Sequence, residues 1–298
     1  MDPHASPNAP LPDVPSAERT VREAGDISLH VVTAGDPEDP LAVLLHGFPE
    51  FWYEWRAHVE PLVDAGYRVL VPDQRGYNRS DKPSDLSAYR MGRLSADVVD
   101  LVESEDREAA HVVGHDWGAA VAWDTALRYP EAVDRLGIIN VPHPTVFERF
   151  LKTRPRQMIK SWYMLYFQLP TIPEWNAGRN GYAFMTAAMR KGARPGTFSA
   201  TDFERYRAAW AEAGALTAMI DWYRAVFRRR DPPPRERVAA PTLVLWGEDD
   251  QALVPEMAAA SVDYCDEGRL ERFPEATHWL PHEYPDRVAE LLVEHLDG

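Results

Sequence analysis

Short apolar runs alternate with helix-like patterns through the first half of the chain. Ile27–Val32, Leu41–Leu45, Arg68–Val71, His111–Val113 and Leu136–Ile139 are rich in β-branched and aliphatic residues and read as strands. Between the third and fourth, Met91–Glu103 places Leu94, Val98 and Leu101 (or Val102) on one helical face. Strands apolar nearly throughout, separated by helices, predict a parallel sheet covered on both sides. From Thr145 to Arg230 the alternation stops, and the pattern is helical and rich in aromatic residues. Asp231-Pro232-Pro233-Pro234 breaks the last of these helices. Strand patterns return at Thr242–Trp246 and Arg269–Phe273, before a closing helix over Tyr284–Leu296. The predicted organisation is an α/β core over 18–144 and 235–298, with a helical cap inserted over 145–234. Residues 1–17 are expected to form a flexible, Pro-rich arm. There is no internal repeat.

Gly114-His115-Asp116-Trp117-Gly118 follows the strand pattern ending at Val113 and precedes an Ala-rich helical stretch, Ala119–Leu127. Strand, tight turn and helix with flanking glycines make a nucleophile elbow, which thrusts its middle residue out of the turn. A Cβ at either glycine would collide with the neighbouring strand and helix. The usual apex residue is Ser; here it is Asp116. A carboxylate is nucleophilic without losing a proton, and it forms an alkyl ester by attacking a carbon that bears a leaving group. That chemistry opens epoxides or displaces halides.

His278 follows the final strand pattern, and Asp249 and Asp250 follow the one before it. Ligands of open parallel sheets bind beyond the carboxyl ends of strands, where all of these residues fall. A His acting on an ester needs a carboxylate to fix its tautomer, and spacing alone allows either Asp249 or Asp250. His46-Gly47-Phe48-Pro49 follows the strand at Leu41–Leu45. Its turn can aim a backbone N–H at an oxyanion, with the Trp117 N–H as a second donor. The polar turn Pro72–Pro83 is expected to use its charges structurally, to hold itself beside the active-site face. His111, His115, His143 and His282 show no metal-ligand spacing, and Pro281 separates His278 from His282.

From about residue 18 to the C-terminus the chain resembles the epoxide hydrolases of the α/β-hydrolase fold. The resemblance rests on His46-Gly47-Phe48-Pro49, on Gly114-His115-Asp116-Trp117-Gly118, and on two cap tyrosines, Tyr163 in Trp162–Gln168 and Tyr223 after Trp222. It implies an α/β fold with a mostly parallel eight-stranded sheet and an inserted helical cap. It aligns the acid through Leu253-Val254-Pro255 and so selects Asp250. It implies Asp116 as nucleophile, His278 as general base oriented by Asp250, and Tyr163 and Tyr223 as proton donors. Tyr166, one turn after Tyr163, is the competing donor. Phe48 and Trp117 N–H groups would form the oxyanion hole, and Trp222, Phe48 and Trp117 would contact substrate. The implied partners are a small apolar epoxide and water. No cofactor is called for, because nucleophile, base and acids are all side chains.

The alternatives share the elbow. A haloalkane dehalogenase typically has Asn or Glu after His-Gly, where this chain has Phe48. A fluoroacetate-type enzyme has Arg after its nucleophile, where this chain has Trp117. A non-catalytic ligand-binding protein of the same fold would have no use for nucleophile, acid and His together. No Gly-x-Ser-x-Gly occurs, which disfavours a serine esterase.

Composition narrows the setting. The chain has 298 residues and a net charge of −15, which argues against nucleic acid and anionic membranes as partners. Only four of its 32 basic residues are lysines, a bias that suits either a high-salt cytoplasm or a genome favouring Arg codons. A single cysteine, Cys265, allows no internal disulfide and fits a reducing compartment. No apolar run approaches the roughly 18–20 residues that span a bilayer. Residues 1–15 hold five prolines and no apolar stretch of the secretory kind. The expected protein is cytoplasmic, a monomer or homodimer.

Overall fold

The computed structural model describes residue 11 and residues 13–298. One eight-stranded sheet runs in the order β1-β2-β4-β3-β5-β6-β7-β8. The strands are β1 (Glu18–Ala24), β2 (Ile27–Ala34), β3 (Leu41–Leu45), β4 (Arg68–Pro72), β5 (Ala110–His115), β6 (Val133–Ile139), β7 (Thr242–Gly247) and β8 (Gly268–Phe273). β2 pairs antiparallel with both β1 and β4, and every other pairing is parallel. The central strands β3 and β7 are buried at every position, as strands covered on both faces must be. The sequence pattern assigned no strand to Glu18–Ala24. Four of its seven residues are charged, because it is an exposed edge strand with little to bury.

Helices α1 (Val59–Asp64), α2 (Met91–Glu103) and α3 (Trp117–Arg128) follow β3, β4 and β5. α2 buries Leu94, Val98, Leu101 and Val102 together, the face its apolar spacing specifies. Between β6 and β7 lie six helices and no strand: α4 (Pro144–Thr153), α5 (Pro155–Lys160), α6 (Trp162–Tyr166), α7 (Ile172–Gly192), α8 (Ala200–Trp210) and α9 (Ala215–Arg228). α7 bends at Arg179–Tyr182, where Asn180, Gly181 and Tyr182 have positive φ. α10 (Glu256–Val262), α11 (Leu280–Glu283) and α12 (Pro285–Asp297) complete the chain.

The helical insertion sits on the loops at the carboxyl ends of β3 and β4. The Trp210 indole donates to the Pro49 carbonyl at 2.6 Å, and the Trp222 indole to the Arg75 carbonyl at 3.0 Å. The Pro72–Pro83 turn is held by its charges. Arg75 binds Asp97 at 2.7 and 2.8 Å and Asp26 at 2.9 Å, and Asp73 accepts from the Trp52 N–H and the Asn78 amide. Of the expected N-terminal arm, residues 1–10 and Pro12 lie outside the described residues. The described end of it is docked rather than loose. Leu11 and Val14 are fully buried, Asp13 pairs with Arg205 at 2.6 Å, and the Ser16 N–H meets Glu60.

Candidate active site

β5 ends at His115, and α3 begins at Trp117, so Asp116 alone makes the turn, with φ 49° and ψ −123°. A non-glycine residue there is strained and persists only where its surroundings fix it. The surroundings do so by close approach. A Cβ on Gly118 would lie 2.0 Å from the Leu45 carbonyl oxygen, and one on Gly114 would lie 2.3 Å from that of Gly118. Both glycines are therefore required for β3, β5 and α3 to pack. Asp116 Oδ1 accepts the Phe48 N–H at 2.7 Å, while Oδ2 lies 3.2 Å from His278 Nε2. Trp117 is the first residue of α3, so its N–H has no intrahelical acceptor by position.

His278 Nδ1 meets Asp250 Oδ2 at 2.7 Å. Asp250 is fully engaged, with Oδ2 also accepting from the Asn140 amide at 2.9 Å and Oδ1 from the Ala252 and Leu253 N–H groups at 2.7 and 3.0 Å. Burial would raise the Asp250 carboxyl, but the His278 charge and these donors hold it below the usual range. Burial would likewise raise Asp116, and its hydrogen bond to His278 together with the His278 charge brings it below the usual range too. For His278 burial lowers the pKa, yet the Asp250 and Asp116 carboxylates outweigh it and hold the imidazole well above its ordinary value. At rest the three groups form a carboxylate–imidazolium–carboxylate array.

Tyr163 on α6 and Tyr223 on α9 face each other with ring centroids 6.0 Å apart. Burial, then the Asp116 charge, pushes both phenols above their ordinary value, so both stay protonated. Tyr166 lies elsewhere, its hydroxyl accepting from the Asn176 amide and its ring near Trp162. Phe48 packs edge-on against Tyr223 and Phe167 at 5.2 and 5.4 Å, and Trp117 against Tyr223 at 4.9 Å. A carboxylate, an imidazole and two phenols thus converge within an aromatic wall.

A family profile described as alpha/beta hydrolase fold matches residues 40–285. The human protein named epoxide hydrolase 4 is 37% identical, over 91% of this chain and 76% of its own length. The chain belongs to the epoxide hydrolases of the α/β-hydrolase fold. A second relative, the AB hydrolase superfamily protein YfhM of Bacillus subtilis, is 46% identical over 91% of this chain and 94% of its own. Among solved structures, the Bacillus megaterium epoxide hydrolase in complex with an inhibitor superposes with a TM-score of 0.86 at 30% identity, covering 94% of this chain and all of that one.

Within this epoxide hydrolase architecture, one expected contact residue is placed differently. Trp222 is fully buried, donates to Arg75, and packs on Tyr77 and Trp117. It backs the wall that Trp117 and Tyr223 form, and its indole N–H is already used. Phe167, on the turn after α6, is a further wall residue that the sequence did not single out, packing on Phe48 and Tyr223. Asn140 was also missed. It follows β6 with φ 51°, and besides donating to Asp250 it accepts the Gly247 N–H at 2.9 Å. An Asn directly after an apolar strand was the available signal.

Glu54 is the third omission. Its Oε2 accepts the Gly47 N–H at 2.8 Å, and its Oε1 lies 2.8 Å from His115 Nδ1. His115 Nε2 meets the His278 carbonyl oxygen at 2.8 Å and must carry a hydrogen to do so. Nδ1 of the neutral ring then needs a donor. Burial, with the nearby Glu50 charge, drives Glu54 well above the usual carboxyl range, while burial takes His115 down to about 4. A protonated Glu54 donating to a neutral His115 satisfies both. Glu50, Glu54 and His115 also offer ligand atoms within 4.8 Å of one another, the one such cluster among the described residues. Glu54 and His115 stand closer than the roughly 3.3 Å between two ligands of a tetrahedral ion, so a shared proton fits them better than a metal.

Proposed function

We propose that this protein hydrolyses apolar epoxides to vicinal diols through a covalent ester on Asp116, with residues 145–234 acting as a cap. One observation carries the reading. A strained Asp116, with one oxygen on the Phe48 N–H and the other beside His278, stands near enough to two protonated phenols, Tyr163 and Tyr223, for its charge to act on both. Asp116 Oδ2 attacks an epoxide carbon, the ring C–O bond breaks, and the departing oxygen takes a proton from Tyr163 or Tyr223. Oδ1 becomes the ester carbonyl oxygen, already seated on the Phe48 N–H. Esterification removes the Asp116 charge, one of the two that hold His278 protonated, so the imidazolium yields its proton to the tyrosinate just formed and becomes a base when water must be activated. His278, oriented by Asp250, takes a proton from water, and the hydroxide adds to the ester carbon. Phe48 and Trp117 N–H groups hold the oxyanion, a contribution of roughly 2.7–4 kcal/mol per donor. On collapse the imidazolium gives its proton to the leaving alkoxide, which departs as the diol, and the proton freed as Asp116 reionises returns His278 to its resting state.

Side chains and water supply every step of this reaction, which fits a mechanism without a cofactor. The lone Cys265 is free and buried, in keeping with a reducing, cytoplasmic setting. Turnover of styrene oxide and trans-stilbene oxide, with bromoalkane controls, tests the reading. Diol formation is expected; halide release without diol would overturn it in favour of a dehalogenase.

A further inference from the structure

Net charge describes the whole chain and hides its distribution. Residues 145–234 carry fifteen basic against seven acidic residues, an excess of eight positive charges in a protein of net charge −15. Three of the four lysines are here. The large apolar side chains left in water gather in the same region. Of eleven such residues among those described, ten lie between Met158 and Phe227.

Ile159, Trp162, Leu165, Leu169, Ile172 and Trp175 are all exposed, at steps of three or four residues through α5, α6 and the start of α7. Ile159 is 73% exposed, Leu165 67% and Trp175 62%. Met164 and Phe167 on the same stretch are buried. α6 is therefore apolar on both sides, the pattern of an element covered all round, yet one side is open. Arg154 and Arg156 precede this strip, and the Arg179 guanidinium lies 4.3 Å over the Trp175 ring. Arg228 binds the Gln168 carbonyl at 2.6 Å, bringing the Phe227–Arg230 end of α9 alongside. The nearby acids are paired, Glu148 with Lys152 and Arg230, Glu174 with Arg224, and the exposed Glu256 loosely with Arg156 at 4.0 Å.

We propose that this face of the helical insertion lies on an anionic lipid surface. Its tryptophans and aliphatic residues enter the headgroup boundary, and its arginines meet lipid phosphates. The charge argues for lipid over a second copy of the chain, since two copies would press like-charged faces together. Among the described residues no helix is long and apolar enough to cross a membrane, so the contact is with the surface. Whole-chain charge argued against anionic membranes, and the local excess reverses that argument for this face. The inference does not depend on the reaction.

Flotation with vesicles of phosphatidylcholine, alone or with about one third phosphatidylglycerol, tests it. The protein should float with the mixed vesicles, on the order of tenfold less with phosphatidylcholine alone, and progressively less as salt rises. Ile159→Ser with Trp175→Ser, and separately Arg154→Glu with Arg156→Glu, should each cut partitioning by roughly tenfold or more. Both variants should keep their melting temperature and their turnover of a water-soluble epoxide. Absence of flotation, or flotation unchanged in both variants, overturns the proposal. So does a dimer that these variants dissolve without any vesicle binding, which would assign the face to a second copy.

Discussion

In the proposed mechanism, Tyr163 and Tyr223 do the work that distinguishes epoxide opening from other chemistry of an Asp nucleophile. Either one changed to Phe should slow alkylation about 10²-fold, and the double change far more, read from single-turnover kinetics. Because burial and Asp116 raise both phenols, alkylation should show no alkaline loss up to the ordinary tyrosine pKa of about 10. Asp116 is shifted the other way, so alkylation should persist below the ordinary Asp value of about 3.9. For His278 the sign follows from its partners. Asp250→Asn removes the largest raising influence, so the pH at which ester hydrolysis switches on should fall, with a weaker base and a slower plateau. Glu54 makes a further test. Glu54→Gln keeps a neutral donor for His115 and an acceptor for Gly47, so it should retain most activity. Glu54→Leu strands both buried partners and should cost about 1–3 kcal/mol of stability along with the oxyanion turn. Urea denaturation and turnover of the pair separate these outcomes. The elbow pattern and the chain order pointed to Asp116 and His278, and the family resemblance to the two tyrosines; the structure brings the four side chains together. Glu54 and Asn140 were not legible, because their roles are hydrogen bonds to backbone groups that only tertiary packing brings close.

The elbow shows how an element transmits sequence to geometry. Gly118→Ala would set a Cβ 2.0 Å from a strand carbonyl that cannot move without breaking the sheet. The cost should exceed the about 1–3 kcal/mol of ordinary overpacking, visible as a large loss of melting temperature or failure to fold. Strands fared according to burial. β3 coincides with the expected Leu41–Leu45, and β5 and β7 differ by a residue or two at their ends, because complete burial writes an apolar run. β1 left no such record, since an edge strand is specified by its pairing with β2 rather than by what it buries. α2 coincides with Met91–Glu103, where one continuous face meets the sheet. The insertion was legible as helical but not in detail. α5 and α6 are too short for a period to show, and the bend in α7 depends on positive φ at Asn180–Tyr182.

At the scale of the molecule, the sheet supplies Asp116, Asp250 and His278 at strand ends, and the insertion supplies the two phenols. Neither part holds the whole site. Trp222 illustrates the limit of reading a site from chain order, for its neighbour Tyr223 faces the nucleophile while Trp222 itself supports the wall. Cys265 gives a readout of the intact fold. Burial raises its thiol to about 11, so thiol reagents should react slowly with the native protein and rapidly once it is unfolded. The central claim is the ester on Asp116, and the intact mass of His278→Gln tests it most directly. Without the base, one molecule of a turned-over epoxide such as styrene oxide should remain attached, its added mass mapping to the peptide that contains Asp116. Diol released by this variant with no adduct, or an adduct on another residue, would contradict the account.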